Sequence, residues 1–208
     1  MEDVLDVYHR PYDPNFPVVC FDESSKQLVA EKRKSVPAAP GQLERYDYEY
    51  QRNGVRNLFL FFSPLVSWRH IKITEQRTRR DWANCMKDLV DVHFPEATRI
   101  RLIQDNLNTH NPVFLYEVFK PTEAKRILDK LEFHFTPKHG SWLNMAEIEF
   151  SVLSRQCLNR RIGDEASLVQ EINSWVNNRN HSQATVNWQF TTDDARIKLK
   201  KLYPSIND

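Results

Sequence analysis

The chain has 208 residues, of which 40% are hydrophobic, and this size and composition suit one domain with one solid core. Its 29 Lys and Arg residues against 28 Asp and Glu residues leave a net charge of +1, which excludes nucleic-acid binding driven by overall charge. Three well-separated cysteines disfavour disulfides and a zinc site, and four scattered glycines form neither a P-loop nor a dinucleotide fingerprint.

The first predicted strand ends in a carboxylate. Residues 1–16 are polar and predict an irregular lead-in that has room for a short helical turn. The apolar run at 18–21 then leads directly to Asp22. Residues 24–42 combine a basic cluster with two prolines and a glycine, which predicts a mobile loop. The loop is either an ordinary solvated surface or a basic flap that contacts phosphate near Asp22. The basic residues of this cluster are Lys32, Arg33 and Lys34.

Residues 43–73 predict three strands. Tyrosines that alternate with acidic residues up to Tyr50 indicate the first, and this stripe is more typical of sheet packing than of base stacking. The string Arg-Asn-Gly-Val at 52–55 is the strongest hairpin signal in the chain, and it leads into an apolar strand at 55–62. The third strand is predicted over 67–73.

A basic helix and a second strand that ends in a carboxylate follow. The helix is predicted over 74–91, and positive charge at its N-terminus opposes the helix dipole. The basic residues there, Arg77, Arg79 and Arg80, form either a solvated face or a contact to DNA phosphate. The next strand, at 99–104, breaks at Asp105. Asp105 suits a simple turn, but the end of a strand is also where ligands bind in open α/β sheets.

A crossover and a third acidic segment complete the pattern. Helices predicted over 113–119 and 121–131 lead to a strand at 132–137, which should therefore run parallel to the strand before Asp105. Lys138 and His139 follow and suit a phosphate contact, although a lone Lys-His pair is a weak signal. The next helix carries Glu147 and Glu149. Because the two lie about 200° apart on a helix, only one can join the other carboxylates, and the helical wheel leaves both open. Further helices are predicted over 166–177 and 193–203.

Three groups of residues resemble the catalytic domain of DDE transposases, specifically the mariner-like superfamily and its bacterial insertion-sequence branch. They are Asp22 after an apolar strand, the string Gln-Asp-Asn at 104–106 with His110 behind it, and the string Trp-Leu-Asn-Met-Ala-Glu at 142–147. The last is the most specific, and the resemblance extends over almost the whole chain to residues 188–196. Residues 106–146, 41 in number, separate Asp105 from Glu147, a spacing somewhat longer than is usual in the mariner branch.

The resemblance implies that Asp22, Asp105 and Glu147 are the catalytic residues and bind two Mg²⁺ or Mn²⁺ ions. Hard cations take oxygen ligands, and a pair of ions about 4 Å apart stabilises both the attacking and the leaving oxygen of a phosphodiester displacement. The implied fold is α/β of the ribonuclease H-like type, with a mixed five-stranded sheet that has an antiparallel hairpin edge and is flanked by helices. The implied activity is cleavage at transposon ends and strand transfer of the freed 3′ hydroxyl into target DNA by a homodimer.

Two other functions stay open: a ribonuclease H-like nuclease without strand transfer, and a degenerate transposase remnant that acts as a binding module. We expect residues 1–208 to form a single catalytic domain without the N-terminal helix-turn-helix region, because only 21 residues precede Asp22. With no apolar run of membrane length, the protein is expected to be cytoplasmic and nucleoid-associated, with no membrane contact and no nucleotide cofactor. Binding to DNA should be weak and indifferent to sequence.

Overall fold

A computed structural model describes residues 1–32, 38–43, 49–138 and 140–203. Within these ranges the chain forms five β-strands and seven α-helices. The strands are β1 (Val18–Glu31), β2 (Tyr50–Ser63), β3 (Trp68–Thr74), β4 (Ile100–Gln104) and β5 (Leu131–Phe135). The helices are α1 (Glu2–His9), α2 (Arg79–Asp88), α3 (Phe114–Val118), α4 (Pro121–Asp129), α5 (Met145–Leu153), α6 (Glu165–His181) and α7 (Thr192–Lys198). Short π-helical turns extend α2 and α5 at Leu89–His93 and Ser154–Leu158, and 3₁₀ turns lie at Ser141–Leu143 and Lys200–Leu202.

The strands form one mixed sheet in the order β3-β2-β1-β4-β5. β1 pairs antiparallel with β2 and parallel with β4, and β4 pairs parallel with β5 through the crossover of α3 and α4. The predicted five-stranded sheet with an antiparallel edge and flanking helices is therefore confirmed. No helix in the described ranges is both long enough and apolar enough to cross a bilayer.

The sheet divides the core into two layers. Along β1, Val18 and Cys20 belong to the layer under α1, α5 and α6, whereas Val19 and Phe21 belong to the layer under α2 and α4. Side chains alternate between the faces of a strand, so the next two residues, Asp22 and Glu23, continue on opposite faces. The single core expected from the composition is thus two apolar layers separated by one sheet.

β1 is much longer than the sequence indicates, and the loop predicted from residue 24 is wrong as far as Glu31. The strand continues because its pairing with β2 extends to Glu31 opposite Tyr50, and because the Val29 N–H donates to the Ile162 carbonyl at 2.7 Å. At about 3.3 Å per residue, Lys32 lies about 30 Å from Asp22. It cannot form the predicted basic flap over Asp22, and Arg33 and Lys34 lie outside the described residues.

The hairpin predicted at residues 52–55 is also wrong, because these residues lie within β2. Val55 is opposite Gln27 and Arg52 is opposite Val29, so Asn53 and Gly54 together face one residue of β1. This arrangement is a β-bulge, and Gly54 has a φ of +91°, which glycine adopts without strain. An Asn-Gly pair suits a bulge for the same reason that it suits a hairpin turn.

The N-terminal segment begins with a packed helix that is longer than the short turn expected in the irregular lead-in. α1 buries Val4, Leu5 and Val7 completely, on the layer that also contains α5 and α6. Its N-terminus is fixed to α7, since Arg196 Nε lies 2.8 Å from Glu2 Oε1. Polar residues between the apolar ones conceal this helix in the sequence.

A cluster of rings at the β3 edge predicts sensitivity to acid. The rings of His70 and His93 lie 4.3 Å apart, and Trp68 packs on His93 at 5.1 Å. Burial and repulsion by His70 lower the pKa of His93 to about 4, and burial also lowers the pKa of His70. Histidine in an unfolded chain titrates near pH 6.5, so the unfolded state takes up protons first as the pH falls.

We therefore expect the free energy of unfolding to decrease as the pH falls from about 6.5 to 4. Urea denaturation of the wild type and His93→Gln at several pH values in this window measures the effect. The variant should lose less stability over the window than the wild type does. Equal losses in the two proteins would contradict the prediction.

Candidate active site

Two of the predicted catalytic aspartates lie side by side where β1 and β4 pair. The parallel register places Val18 opposite Arg101 and Cys20 opposite Ile103, and the same register continued by two residues sets Asp22 beside Asp105. Asp22 lies inside β1, because that strand continues past it, whereas Asp105 is the first residue after β4. Both side chains are partly exposed at this edge. The two strands thus bring together carboxylates that are 83 residues apart in the sequence.

The third predicted residue, Glu147, is positioned by the buried side chain of Asn144. Asn144 caps α5 by accepting the Ala146 N–H at 3.2 Å, and its Nδ2 donates to the Phe21 carbonyl at 2.9 Å. Asn144 therefore fixes the first turn of α5 to β1, directly before Asp22. This contact explains the spacing of Asn144 and Glu147 in the string at 142–147. Asn144 attaches the first turn of α5 to β1, and Glu147 lies in that turn.

The carboxylates at this edge repel one another. Burial and, to a lesser extent, the negative charges of Asp105, Glu23 and Glu147 together raise the pKa of Asp22 to about 7. The hydrogen bond from the Glu23 N–H to Asp22 Oδ1, at 2.8 Å, acts in the opposite direction. A cation at this position would neutralise that repulsion. Among the described residues, Asp22, Asp105 and Glu147 thus bring negative charge together at this edge, and Arg77 contacts only their neighbour Glu23, at 3.9 Å.

The donor set suits a hard divalent cation. Asp22, Asp105 and Glu147 offer only carboxylate oxygens, which are the ligands that Mg²⁺ and Mn²⁺ prefer. Among the described residues, no three His, Cys, Asp or Glu side chains already lie close enough together to bind one ion. The chemistry of the residues fits a metal, and binding requires their side chains to close around it.

Glu149, the other acid of α5, has a different role. Its Oε1 lies 2.8 Å from Arg69 Nε of β3, and its Oε2 lies 3.1 Å from Arg179 Nη2 of α6. The side chains of Glu149 and Arg69 are 1% and 0% exposed, so this ion pair is sealed inside the protein. Glu147 is thereby the acid of α5 that interacts with Asp22, a distinction that the helical wheel does not provide.

The residues predicted to contact phosphate are distributed unevenly. Arg77 Nη1 lies 3.9 Å from Glu23 Oε1, close to the carboxylates, whereas Arg79 is paired with Glu117 at 3.0 Å. Arg80 is exposed, and Lys32 lies 3.3 Å from Glu49 at the far end of β1. Lys138 lines a cavity of about 500 Å³ together with Asp105, Thr136 and Ser141. His139 lies outside the described residues.

Two polar residues beside Asp105 were not assigned a role from the sequence. His110 Nδ1 lies 2.7 Å from Asp105 Oδ1, and His110 Nε2 lies 2.9 Å from Glu23 Oε2. Burial opposes protonation of His110, but its contacts with Asp105 and Glu23 outweigh burial and raise its pKa to about 9. The sequence contains one indication of a role for Glu23. It follows an apolar strand run, and an acid on the inward face of such a strand needs a polar partner.

Comparison with known proteins gives a family and a fold. A family model described as a DDE superfamily endonuclease matches residues 17–169, which include Asp22, Asp105 and Glu147. No curated protein sequence matches the chain significantly. Several solved structures match, and the three described below are 14–16% identical to this chain.

Three of these structures are Mos1 transposase complexes. A paired-end complex with the left transposon end is 16% identical with a TM-score of 0.58 and covers 87% of this chain and 56% of its own. The strand transfer complex is 14% identical with a TM-score of 0.56, and it covers 87% and 55%. The mariner paired-end complex with Mn is 16% identical with a TM-score of 0.55, and it covers 87% and 56%. The chain thus spans little more than half of their length. The similarity confirms the predicted ribonuclease H-like fold.

Proposed function

This chain belongs to the DDE superfamily of endonucleases, and we propose that it is the catalytic domain of a transposase that cleaves DNA at transposon ends and joins the 3′ hydroxyl to target DNA. The observation that carries the proposal is the convergence of Asp22, Asp105 and Glu147 from β1, β4 and α5 on one edge of the sheet. We take residues 1–208 as one such domain, of the bacterial insertion-sequence branch, located in the cytoplasm with the nucleoid.

In this proposal Asp22, Asp105 and Glu147 hold two Mg²⁺ or Mn²⁺ ions. When bound, such ions supply a nucleophile at neutral pH and stabilise the leaving oxygen of the phosphodiester. The protein residues then bind and orient. Asp22 would hold an ion as its carboxylate, Asn144 keeps Glu147 in register with Asp22, and Lys138 would contact a phosphate in the cavity beside Asp105.

DNA is the proposed partner, and a homodimer is the proposed active assembly. Arg77, Arg79 and Arg80 at the start of α2 are the basic residues that we assign to the DNA backbone. Such contacts position a protein on DNA without reading its sequence. Ion pairs with Glu23 and Glu117 already hold Arg77 and Arg79, so little additional positive charge is available to bind phosphate.

A strand-transfer assay tests the proposed reaction. The protein is incubated with Mn²⁺ or Mg²⁺, a supercoiled plasmid and a labelled duplex that ends in a 3′ hydroxyl at the inverted repeat. We expect metal-dependent nicking and labelled duplex joined to plasmid. Nicking without joined product would support a purely hydrolytic nuclease instead. Neither product, together with no binding of Mn²⁺, would support a remnant that has lost catalysis.

We also predict that this chain binds transposon ends and random duplex about equally. The basic residues named above contact phosphate, and no base-reading element is assigned to the described residues. Competition binding at physiological salt, with labelled end DNA and unlabelled competitors, measures the ratio. A preference of about tenfold or more for end DNA, which is about 1.4 kcal/mol, would show that the domain reads sequence itself.

A further inference from the structure

A buried histidine contacts an acid of β1 and the acid that directly follows β4. The side chain of His110 is 1% exposed and lies between two carboxylates, with Nδ1 2.7 Å from Asp105 Oδ1 and Nε2 2.9 Å from Glu23 Oε2. Glu23 is also 1% exposed, whereas Asp105 is 27% exposed at the edge. The imidazole of His110 thus connects the buried carboxylate of Glu23 to the partly exposed carboxylate of Asp105.

The imidazole is held in place by its surroundings. Phe21 meets the ring edge-on with centroids 5.6 Å apart, and the Trp82 ring stacks at 6.2 Å. The buried amide of Gln104 donates to the His110 carbonyl at 3.2 Å and accepts the Trp82 Nε1–H at 3.1 Å. The backbone and the ring of His110 are therefore both fixed relative to β4 and α2.

The position of Glu23 is costly unless it serves the site. A carboxylate on an apolar sheet face loses its hydration, and an apolar residue of similar size would fill the space without that cost. Besides His110, the described cation nearest to this carboxylate is Arg77, at 3.9 Å and half-exposed. Glu23 thus contacts chiefly Nε2 of His110. Nδ1 of the same ring lies between two oxygens of Asp105, the carboxylate Oδ1 at 2.7 Å and the backbone carbonyl at 3.2 Å.

We propose that Glu23 and His110 form a positioning pair that fixes the orientation of the Asp105 carboxylate for a divalent cation. The inference rests on the proposed function, because it assumes that Asp105 is a ligand. His110 occupies Oδ1 of Asp105 and leaves Oδ2 for the cation, and Glu23 prevents the ring from turning. Groups that orient ligand side chains in this way typically change metal affinity or activity 10–100-fold when they are mutated.

Titration of Mn²⁺ against the protein without DNA, followed by the electron paramagnetic resonance signal of free Mn²⁺, tests the pair. In His110→Asn the amide nitrogen takes the place of Nδ1 and still reaches Asp105, whereas in His110→Gln it takes the place of Nε2 and reaches only Glu23. We expect His110→Gln to weaken Mn²⁺ binding about tenfold or more and His110→Asn to keep most of the affinity. A ring that merely fills space would make the two variants equivalent.

The chain offers a matched control in His134, which is 5% exposed and also lies between two carboxylates. Its Nδ1 lies 2.8 Å from Asp3 and its Nε2 lies 3.0 Å from Glu132, and neither is a proposed ligand. His134→Gln should bind Mn²⁺ as the wild type does. Circular dichroism verifies the fold of each variant. If His110→Gln does not fold, Glu23→Gln replaces it, because glutamine has nearly the size of glutamate. Glu23→Gln should weaken Mn²⁺ binding severalfold.

The outcomes separate this inference from the proposed function. Wild-type Mn²⁺ affinity in His110→Gln or, where that variant does not fold, in Glu23→Gln would overturn the positioning pair. Equal losses in His110→Gln and His110→Asn would overturn it too. In each case the proposed function stands if Asp105→Asn has lost Mn²⁺ binding. Equal Mn²⁺ binding by the wild type and Asp105→Asn would overturn the proposed function, and the positioning pair with it.

Discussion

Asp105→Asn should reduce metal-dependent cleavage of DNA by about a thousandfold or more and leave the domain folded. The substitution removes one negative ligand from a set of three that acts as a unit, and such sets lose most of their activity when any member is removed. The side chain of Asp105 is partly exposed at the sheet edge, and an amide there can still contact His110, so the effect on stability should be small. Cleavage of labelled duplex in Mn²⁺ measures the first effect and thermal unfolding the second.

Asp3→Asn is the matched control for this experiment. Asp3 also contacts a buried histidine, at 2.8 Å from His134 Nδ1, but it lies on α1 and is not a proposed ligand. We expect its cleavage rate to equal that of the wild type. Cleavage at the wild-type rate by Asp105→Asn would exclude the proposed role of Asp105.

The second large effect concerns the two glutamates of α5. Glu149→Gln should lower the free energy of unfolding by about 3–5 kcal/mol, because removing one partner of a buried ion pair leaves an uncompensated charge. Arg69, which is 0% exposed, would then keep its charge in an apolar layer. Glu147→Gln should change the free energy of unfolding little, because Glu147 is only partly buried. The same variant should abolish cleavage, because it removes a proposed metal ligand. Urea denaturation and the cleavage assay on the same preparations measure both quantities.

The two variants serve as controls for each other, because they make the same chemical change two residues apart on one helix. In the fraction that remains folded, Glu149→Gln should retain cleavage and Mn²⁺ binding. The opposite pattern, with a stable but inactive Glu149→Gln and an active Glu147→Gln, would assign the third carboxylate to Glu149.

The sheet could be predicted from the sequence because its strands are encoded locally. The apolar runs before Asp22 and Asp105 and the crossover helices between β4 and β5 are each visible within about 30 residues. The errors lie where tertiary contacts decide the structure. Residues 24–31 are polar enough for a loop and become a strand through pairing with β2 and contact with Ile162. The Asn-Gly dipeptide at 53–54 indicates a positive φ. Only the strand pairing between β1 and β2 shows whether that φ belongs to a turn or to a bulge.

The candidate site shows the same division. The resemblance named Asp22, Asp105 and Glu147, whose catalytic roles stay a prediction, and the structure places them at one edge. The helical wheel did not separate Glu147 from Glu149, because both border the apolar face of α5. The separation comes from Arg69 and Arg179, which belong to other elements. Likewise, Glu23 meets His110 only because β1 and β4 are neighbours, a contact between residues 87 positions apart.

Because Asp22 and Glu23 lie on opposite faces of β1, a deletion or insertion of one residue in this strand would affect the candidate site more than the core. β1 carries apolar residues on both faces, with Val18 and Cys20 on one and Val19 and Phe21 on the other, so a deletion or insertion of one residue would leave a strand that is still hydrophobic on each side. Within residues 18–20, a deletion would move Glu23, and an insertion would move Phe21, into the position beside Asp105 that Asp22 occupies. Such a chain would still bury apolar side chains on both faces of β1 but would lack Asp22 at the candidate site. The register of the eleven paired positions between β1 and β2, with the bulge at Gly54, therefore determines which residue of β1 lies beside Asp105.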